Sequence, residues 1–227
     1  MKWTEDGWPQ ILPKGERVPY TLPAPKVAVA SPAPTPLSGN FTWRDEFDSG
    51  AEKLAPLWLM LRNPHEKWWS LTNPKGSLSL TPRVETIEGK ENPSFFGRRL
   101  QHAKFEASTA LTPSKSKDVS AGLALFQSET HFYYLGVRRA DGQLTVFLEL
   151  ANDGKPAVKT QATIAGAEQI ELRVRGDELS GVFEYRIPGK EWQVLLGDAD
   201  LKPITTNAAG GGLHFTGAVV GVYARRE

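Results

Sequence analysis

The stretch NPSFFGRRLQHAKFEA, residues 92–107, holds an unusual density of side chains suited to binding polar groups. They are Phe95, Phe96, Arg98, Arg99, Gln101 and His102. Arginine offers a planar set of donors and glutamine offers a donor and an acceptor, which suits sugar hydroxyls or the carboxylates of a partner protein. The stretch therefore predicts a site that binds carbohydrate or faces another domain. The alternative is an exposed basic strand end paired with local acidic residues.

Aromatic residues in or beside the predicted strands are further candidates for contact with a sugar, because sugar rings have apolar faces that stack on aromatic rings. The candidates are Trp68, Phe126 and Tyr133, together with Phe95 and Phe96. The alternative is that these rings fill the core. Trp68 and Trp69 are adjacent in the sequence, so an extended backbone directs them to opposite sides and at least one is expected at a surface or interface.

Acidic residues suggest two further kinds of chemistry. In WRDEFDSG, Asp45 and Asp48 are candidate calcium ligands, since Ca²⁺ takes about six to eight oxygens. A solvated strand end closed by a turn is the alternative. Glycoside cleavage needs two carboxylates about 5 to 10 Å apart, for which Glu106 and Glu129 are candidates. Exposed carboxylates without a catalytic role are the simpler interpretation, and motifs for a serine nucleophile, nucleotides or zinc peptidases are missing.

Composition excludes several classes of partner. The 27 basic and 26 acidic residues give a net charge of +1, so neither nucleic acid nor an anionic membrane is expected as a partner. The absence of cysteine excludes disulfides, thiolate metal sites and a cysteine nucleophile. No run of about 18 apolar residues occurs, and the N-terminus lacks the apolar stretch of a secretion signal. We therefore expect a soluble chain, whose cytoplasmic or secreted location the sequence leaves open.

Short alternating runs separated by Gly, Pro, Asn and Asp predict an all-β fold, a two-sheet antiparallel β-sandwich. The predicted strands are 41–47, 57–61, 77–81, 97–112, 120–128, 131–138, 143–150, 158–163, 168–175, 179–186, 191–195 and 213–224. Within strand 97–112, alternation places Arg99 and Gln101 on one face with Phe105, and Arg98 with His102 on the other. Eight of the 17 prolines lie within residues 9–36, which predicts an extended N-terminal segment.

Several blocks occur in the order and spacing of one family: FTWRDEFDSG, LWLMLRNPHEKWWSLTNPKGSLSL, NPSFFGRRLQHAKFEASTAL, AGLALFQSETHFYYLGVRR and HFTGAVVGVYA. They resemble the C-terminal concanavalin A-like β-sandwich of glycoside hydrolase family 43 β-xylosidases and α-arabinofuranosidases, also classed as carbohydrate-binding module family 91. WTEDGWPQI resembles the last piece of that family's catalytic propeller. The resemblance implies a propeller remnant at 1–12, a proline-rich linker at 13–39 and a sandwich at 40–227 that lacks its last strand.

The resemblance implies an accessory domain with no catalytic residues, because the family's three catalytic acids lie in the propeller. The sandwich would complete the rim of the propeller active site through the stretch that begins at Asn92, and the expected partners are this propeller and xylan, xylo-oligosaccharide or arabinoxylan. No cofactor is required. Relatives carry an aromatic residue where this chain has Ala103, and the missing last strand argues against calcium. The alternatives are a hydrolase in its own right and a purely structural docking domain.

Overall fold

The computed structural model of the chain describes residues 2–10, 12, 15–21, 39–49, 52–140, 142–208 and 217–227. The first strands are β1 (Lys2–Trp3), β2 (Pro9–Gln10), β3 (Leu59–Met60), β4 (Trp69–Thr72), β5 (Lys75–Leu80), β6 (Ser94–Arg99), β7 (Lys104–Leu111) and β8 (Val119–Ser128). The remaining strands are β9 (His131–Ala140), β10 (Gln143–Asn152), β11 (Ala157–Ile164), β12 (Ile170–Asp177), β13 (Ser180–Arg186), β14 (Gln193–Asp200) and β15 (Val219–Arg226). A single 3₁₀ turn at Lys202–Ile204 is the only helical element among the described residues.

The chain divides into two units, residues 1–43 and 44–227. The first contains a small hairpin in which β1 and β2 pair antiparallel, with Trp3 opposite Pro9. The Thr4 hydroxyl closes the turn, since it accepts from the Trp8 N–H at 2.9 Å and donates to the Trp8 carbonyl at 3.0 Å. Residues 13, 14 and 22–38 of the predicted linker lie outside the described residues.

The second unit is a β-sandwich, which confirms the predicted fold class. Seven strands form an antiparallel sheet in the order β11-β10-β9-β8-β15-β6-β3, and four form a second sheet in the order β14-β13-β12-β7. The hairpin β4-β5 pairs separately. Within the described part of the chain, no helix is long and apolar enough to cross a membrane.

The central strands of the large sheet are buried on both faces. On β8, Leu123 and Leu125 point toward the small sheet and join a first core with Leu172 and Phe183. The alternate residue Phe126 belongs to a second core on the opposite face. The members of this second core are Ile87, Phe95, Ala124, Phe126, Phe132, Tyr134, Phe147, Ala151 and Tyr223. A strand buried on both sides is apolar at successive positions, as β8 is.

Glycines allow these strands to approach closely. Gly122 on β8 lies opposite Gly136 on β9, and a Cβ atom at Gly122 would lie 2.0 Å from the carbonyl oxygen of Leu135. Backbone atoms of a central strand cannot move away without breaking the ladder, so this position requires glycine.

The predicted strands differ from the structure in several places. Residues 41–47 form no strand. The predicted strand 97–112 is two strands, because β6 belongs to the large sheet and β7 to the small one. For strand 213–224, residues 213–216 lie outside the described residues, and β15 begins at Val219.

Candidate functional site at the sheet crossover

Residues 100–103, here called the crossover segment, carry the chain from the large sheet to the small sheet. The Leu100 N–H donates to the Ala218 carbonyl at 2.9 Å, which fixes the end of β6. At the other end, the Glu178 N–H donates to the Ala103 carbonyl at 3.0 Å. The segment is thereby held against the start of β15 and the turn between β12 and β13, so its backbone is fixed at both ends.

The polar cluster surrounds this segment but does not share one face. Arg99 and Gln101 are exposed, whereas Arg98 and His102 are half-buried. Arg98 lies opposite Val220, on the face of the large sheet that bears the first core, and burial lowers the pKa of its guanidinium. Arg99 follows Phe95 at period two and therefore lies on the face of the second core.

The predicted common face for Arg99 and Phe105 is therefore wrong. Phe105 packs against the first core, whereas Arg99 is on the other side of the large sheet. The physical reason is that alternation continues only within one strand, and the crossover segment interrupts it.

A half-open groove of about 310 Å³ borders the crossover segment. Its lining is mainly apolar, and His102, Glu178 and Thr205 add polar groups. The residues that line it are Leu100, His102, Ala103, Phe105, Glu178, Leu179, Leu201, Ile204 and Thr205. Arg98, Arg99 and Gln101 do not line this groove, so His102 is the one residue of the polar cluster that does.

The five aromatic candidates lie in the protein interior. Phe95 and Phe96 are 0% exposed, Trp68 is 2% exposed, Tyr133 is 3% exposed and Phe126 is 7% exposed. None presents an open ring face for a sugar, so their placement gives no support to direct stacking on a ligand. The rings instead form packing contacts.

Two of these aromatic residues also satisfy buried polar groups. The Trp68 indole donates to Asn92 Oδ1 at 2.7 Å. The Tyr133 hydroxyl donates to the Asp200 carbonyl at 2.7 Å, and burial together with Asp200 raises the pKa of Tyr133 to about 12. Both side chains therefore join distant segments of the sandwich.

Trp69 has the surface position predicted for one member of the tryptophan pair. It is half-buried and lines a shallow groove of about 260 Å³, whose other lining residues are Pro64, His65, Glu66 and Lys67. We call this the tryptophan groove. The predicted opposite sides are not observed, because the ring centroids of Trp68 and Trp69 lie 5.1 Å apart and both rings contact Phe96. The two residues differ in burial instead, and alternation does not show which of them is exposed.

The candidate calcium ligands are used differently. Asp45 Oδ1 accepts from the Phe47 N–H at 2.9 Å, and Oδ2 accepts from the Trp58 indole at 2.8 Å. Asp48 is exposed. Across the described ranges, no three His, Asp or Glu side chains come together as a metal site would require. Both carboxylate oxygens of Asp45 therefore accept hydrogen bonds from the chain itself, and calcium binding at Asp45 and Asp48 stays a prediction.

The candidate catalytic carboxylates lie on different sheets. Glu106 is exposed on the outer face of β7, where its Oε2 lies 3.8 Å from Arg173 Nη1. Glu129 lies in the turn between β8 and β9 and pairs with Arg62. Each carboxylate therefore pairs with a different arginine.

These observations define a concanavalin A-like β-sandwich with a polar crossover segment at one end. Residues 44–227 match the model of the β-xylosidase C-terminal concanavalin A-like domain, and the chain belongs to this family. The resemblance drawn from the sequence blocks is confirmed.

The relatives are longer proteins. A non-reducing end α-L-arabinofuranosidase of Bacteroides ovatus is 28% identical over 226 residues, which are 99% of this chain and 40% of the relative. A xylosidase/arabinosidase of Butyrivibrio fibrisolvens is 30% identical over 228 residues, covering 97% of this chain and 41% of the relative. The chain thus spans about two fifths of the length of these curated relatives.

Among solved structures, a GH43_12 protein from a capybara gut metagenome has a TM-score of 0.76 at 29% identity. The match covers 83% of this chain and 35% of that protein. The similarity therefore again concerns a part of a longer protein.

Proposed function

We propose that this chain is a non-catalytic accessory domain of a family 43 glycoside hydrolase and that its crossover segment completes the rim of a catalytic propeller. Family membership and the share of the relatives that the chain spans both support an accessory role. The observation that carries the proposal is the position of Arg99, Gln101 and His102 around a segment fixed at both ends. A backbone that is already fixed loses little conformational freedom on binding, which favours a rim that positions a substrate.

Xylan or arabinoxylan oligosaccharides are the proposed substrates of the assembled enzyme. The relatives are a xylosidase/arabinosidase and an α-L-arabinofuranosidase, whose substrates are neutral sugars. Donors and acceptors such as Arg99 and Gln101 match sugar hydroxyls. Glu106 and Glu129 each pair with an arginine, Arg173 and Arg62, which supports assigning catalysis to another domain.

A chimera tests this proposal. The segment of the Butyrivibrio fibrisolvens relative that matches this chain is replaced by this chain, and hydrolysis of 4-nitrophenyl β-xyloside and α-arabinofuranoside is measured. Arg99→Ala should lower kcat/KM roughly tenfold or more, because a hydrogen bond to a charged donor contributes about 1.5 to 3 kcal/mol. Lys190→Ala is the matched control, since this exposed residue lies in the turn between β13 and β14, far from the crossover segment.

The outcomes separate the alternatives. Equal activity of the two variants would contradict a rim role. A purely structural docking domain predicts that Arg99→Ala weakens association of the domains and leaves KM unchanged. The isolated chain should show no turnover, and turnover that disappears with Glu106→Gln would establish a hydrolase in its own right.

A further inference from the structure

The tryptophan groove combines a rigid aromatic ring with polar side chains. Trp69 is the first residue of β4, and its ring meets the buried rings of Trp68 and Phe96 edge-on, with centroids 5.1 and 5.3 Å away and interplanar angles of 73° and 86°. These contacts fix the orientation of the ring. Its indole N–H is buried without an acceptor among the described residues, so an occupant of the groove would contact ring carbons.

The polar side chains of the tryptophan groove are positioned by partners outside it. Glu66 Oε1 lies 3.2 Å from Arg83 Nη2. Lys67 pairs with Glu52, which also accepts from the hydroxyls of Thr72 and Ser70. The ion-paired hydrogen bond from Lys67 is the main reason that the pKa of Glu52 is lowered to about 2. The carboxylate of Glu52 is therefore ionised across the working pH range and keeps Lys67 in place.

The chemistry of this groove fits a neutral sugar. A half-exposed indole ring offers stacking to apolar C–H groups, while Glu66, Lys67 and the exposed His65 offer acceptors and donors for hydroxyls. Both signs of charge are present, so the groove does not select a strongly charged ligand. A shallow open shape suits one ring of a chain that continues beyond both ends of the groove.

We propose that the tryptophan groove binds a pyranose unit of a neutral xylo-oligosaccharide. The identity of the sugar rests on the proposed function, whereas the position of the groove does not. The groove is built from residues 64–69, a stretch separate from the crossover segment, so the chain has two sites with different roles. The tryptophan groove captures substrate on the sandwich, and the crossover segment faces the catalytic domain.

Trp192 provides a matched comparison. It is also half-buried, but the guanidinium groups of Arg173 and Arg186 lie 4.0 and 4.4 Å from its ring centroid. Its ring is therefore occupied by cation–π contacts and has less room for a sugar. If partial exposure of a tryptophan were sufficient for sugar binding, both Trp69 and Trp192 would contact the sugar. The contacts of Trp192 with two arginines leave Trp69 as the sugar-binding residue.

The test is a titration of the ¹⁵N-labelled chain with xylotriose, followed by NMR of the indole N–H signals. Trp69→Phe and Trp192→Phe assign the two signals. The Trp69 signal should shift progressively with a dissociation constant on the order of millimolar, as expected for an open site with few contacts, while the Trp192 signal stays in place. His65→Ala, a change at an exposed residue that leaves the ring packing intact, should weaken binding about threefold or more.

Shifts confined to other residues, an unchanged Trp69 signal, or unchanged affinity after His65→Ala would overturn the proposal. These results are independent of the chimera. If xylotriose does not bind the tryptophan groove, Arg99→Ala can still lower kcat/KM in the chimera. If Arg99→Ala leaves kcat/KM unchanged, the Trp69 signal can still shift with xylotriose.

Discussion

At the scale of single residues, the strongest electrostatic feature is a buried ion pair in the second unit. Arg225 Nη1 and Nη2 donate to the two carboxylate oxygens of Glu149 at 2.9 and 2.7 Å. Burial disfavours the charged guanidinium, but Glu149 outweighs this effect and raises the pKa of Arg225 above its usual value. Tyr134 adds a cation–π contact, with its ring centroid 5.1 Å from Arg225 Cζ. The pair joins β10 to β15 across the two strands between them.

Arg225→Met should destabilise the fold by about 3 to 5 kcal/mol, because it leaves the Glu149 carboxylate buried without its cation. The double variant Arg225→Met/Glu149→Leu should cost clearly less, since no charge is then left unpaired. The free energy of unfolding in urea measures both. Arg44→Met is the control, because the Arg44–Glu46 pair is 79% and 56% exposed and a change within about 0.5 kcal/mol is expected. A double variant as unstable as the single one would contradict this account.

At the scale of elements, the sequence predicts strands better than it predicts which sheet each strand joins. Alternation located β8 to β13 to within a few residues. It failed at 97–112, where β6 and β7 are nearly continuous and apolar residues continue on both sides of the crossover segment. Only the partners of each strand, Val219–Arg226 for β6 and Ile170–Asp177 for β7, distinguish the two sheets. Such pairings join residues far apart in the chain, which local periodicity does not encode.

The candidate site shows the same limit. The sequence singled out Arg98, Arg99, Gln101 and His102 by their density, and the structure places all four at or beside the crossover segment. The aromatic candidates lie in the interior. The sequence does not predict this, because a strand buried on both faces and a strand facing a ligand both carry aromatic residues. The polar residues of the tryptophan groove lie in a loop, where no periodic signal identifies a site.

Gly122 gives a direct test of the close approach between β8 and β9. Gly122→Ala should destabilise the fold by about 3 kcal/mol or more, because the new methyl group would meet the Leu135 carbonyl. Gly154→Ala is the matched control, since no atom of the described ranges lies within 4 Å of a Cβ there and its φ lies outside the left-handed region. The control should change stability by less than about 1 kcal/mol, and in the stabilising direction if the chain gains rigidity. Thermal and urea unfolding of both variants measure the difference, and equal effects would exclude the steric explanation.

At the scale of the whole molecule, the family and the sandwich could be read from the order of the sequence blocks, whereas the second core could not. Ordered blocks carry fold information because they preserve both strand composition and spacing. The outer face of the large sheet is covered in part by Leu61 and Ile87, and the Ile87 N–H donates to the Tyr223 hydroxyl at 3.3 Å. These residues belong to irregular segments between strands, so their packing depends on the complete fold.

Two carboxylates that pair with arginines, Glu184 and Glu227, predict how stability depends on pH. Burial alone would raise the pKa of Glu184, but hydrogen bonds from Arg175 and Arg173 outweigh it and lower the pKa. For Glu227, burial is likewise outweighed by Ser120 and Arg225, and the pKa is lowered. An acid whose pKa is lower in the folded state than in the unfolded state stabilises the fold above its unfolded value of about 4.3. That stability is lost as the pH falls through the folded pKa.

We therefore expect the free energy of unfolding to change little between about pH 7 and 5 and to fall steeply at lower pH. Glu88 contributes with the opposite sign, because burial raises the pKa of this carboxyl and the folded state takes up its proton at a higher pH than the unfolded state does.

Glu184→Gln should lower stability at pH 7 and reduce the acid slope, since the side chain of Glu184 is only 4% exposed and its charge is required by two arginines. Glu168→Gln, at an exposed position, should keep the original slope. Urea unfolding of the three proteins from pH 7 to 3 measures these slopes, and an acid slope for Glu184→Gln equal to that of the unmodified chain would show that Glu184 does not contribute to acid sensitivity.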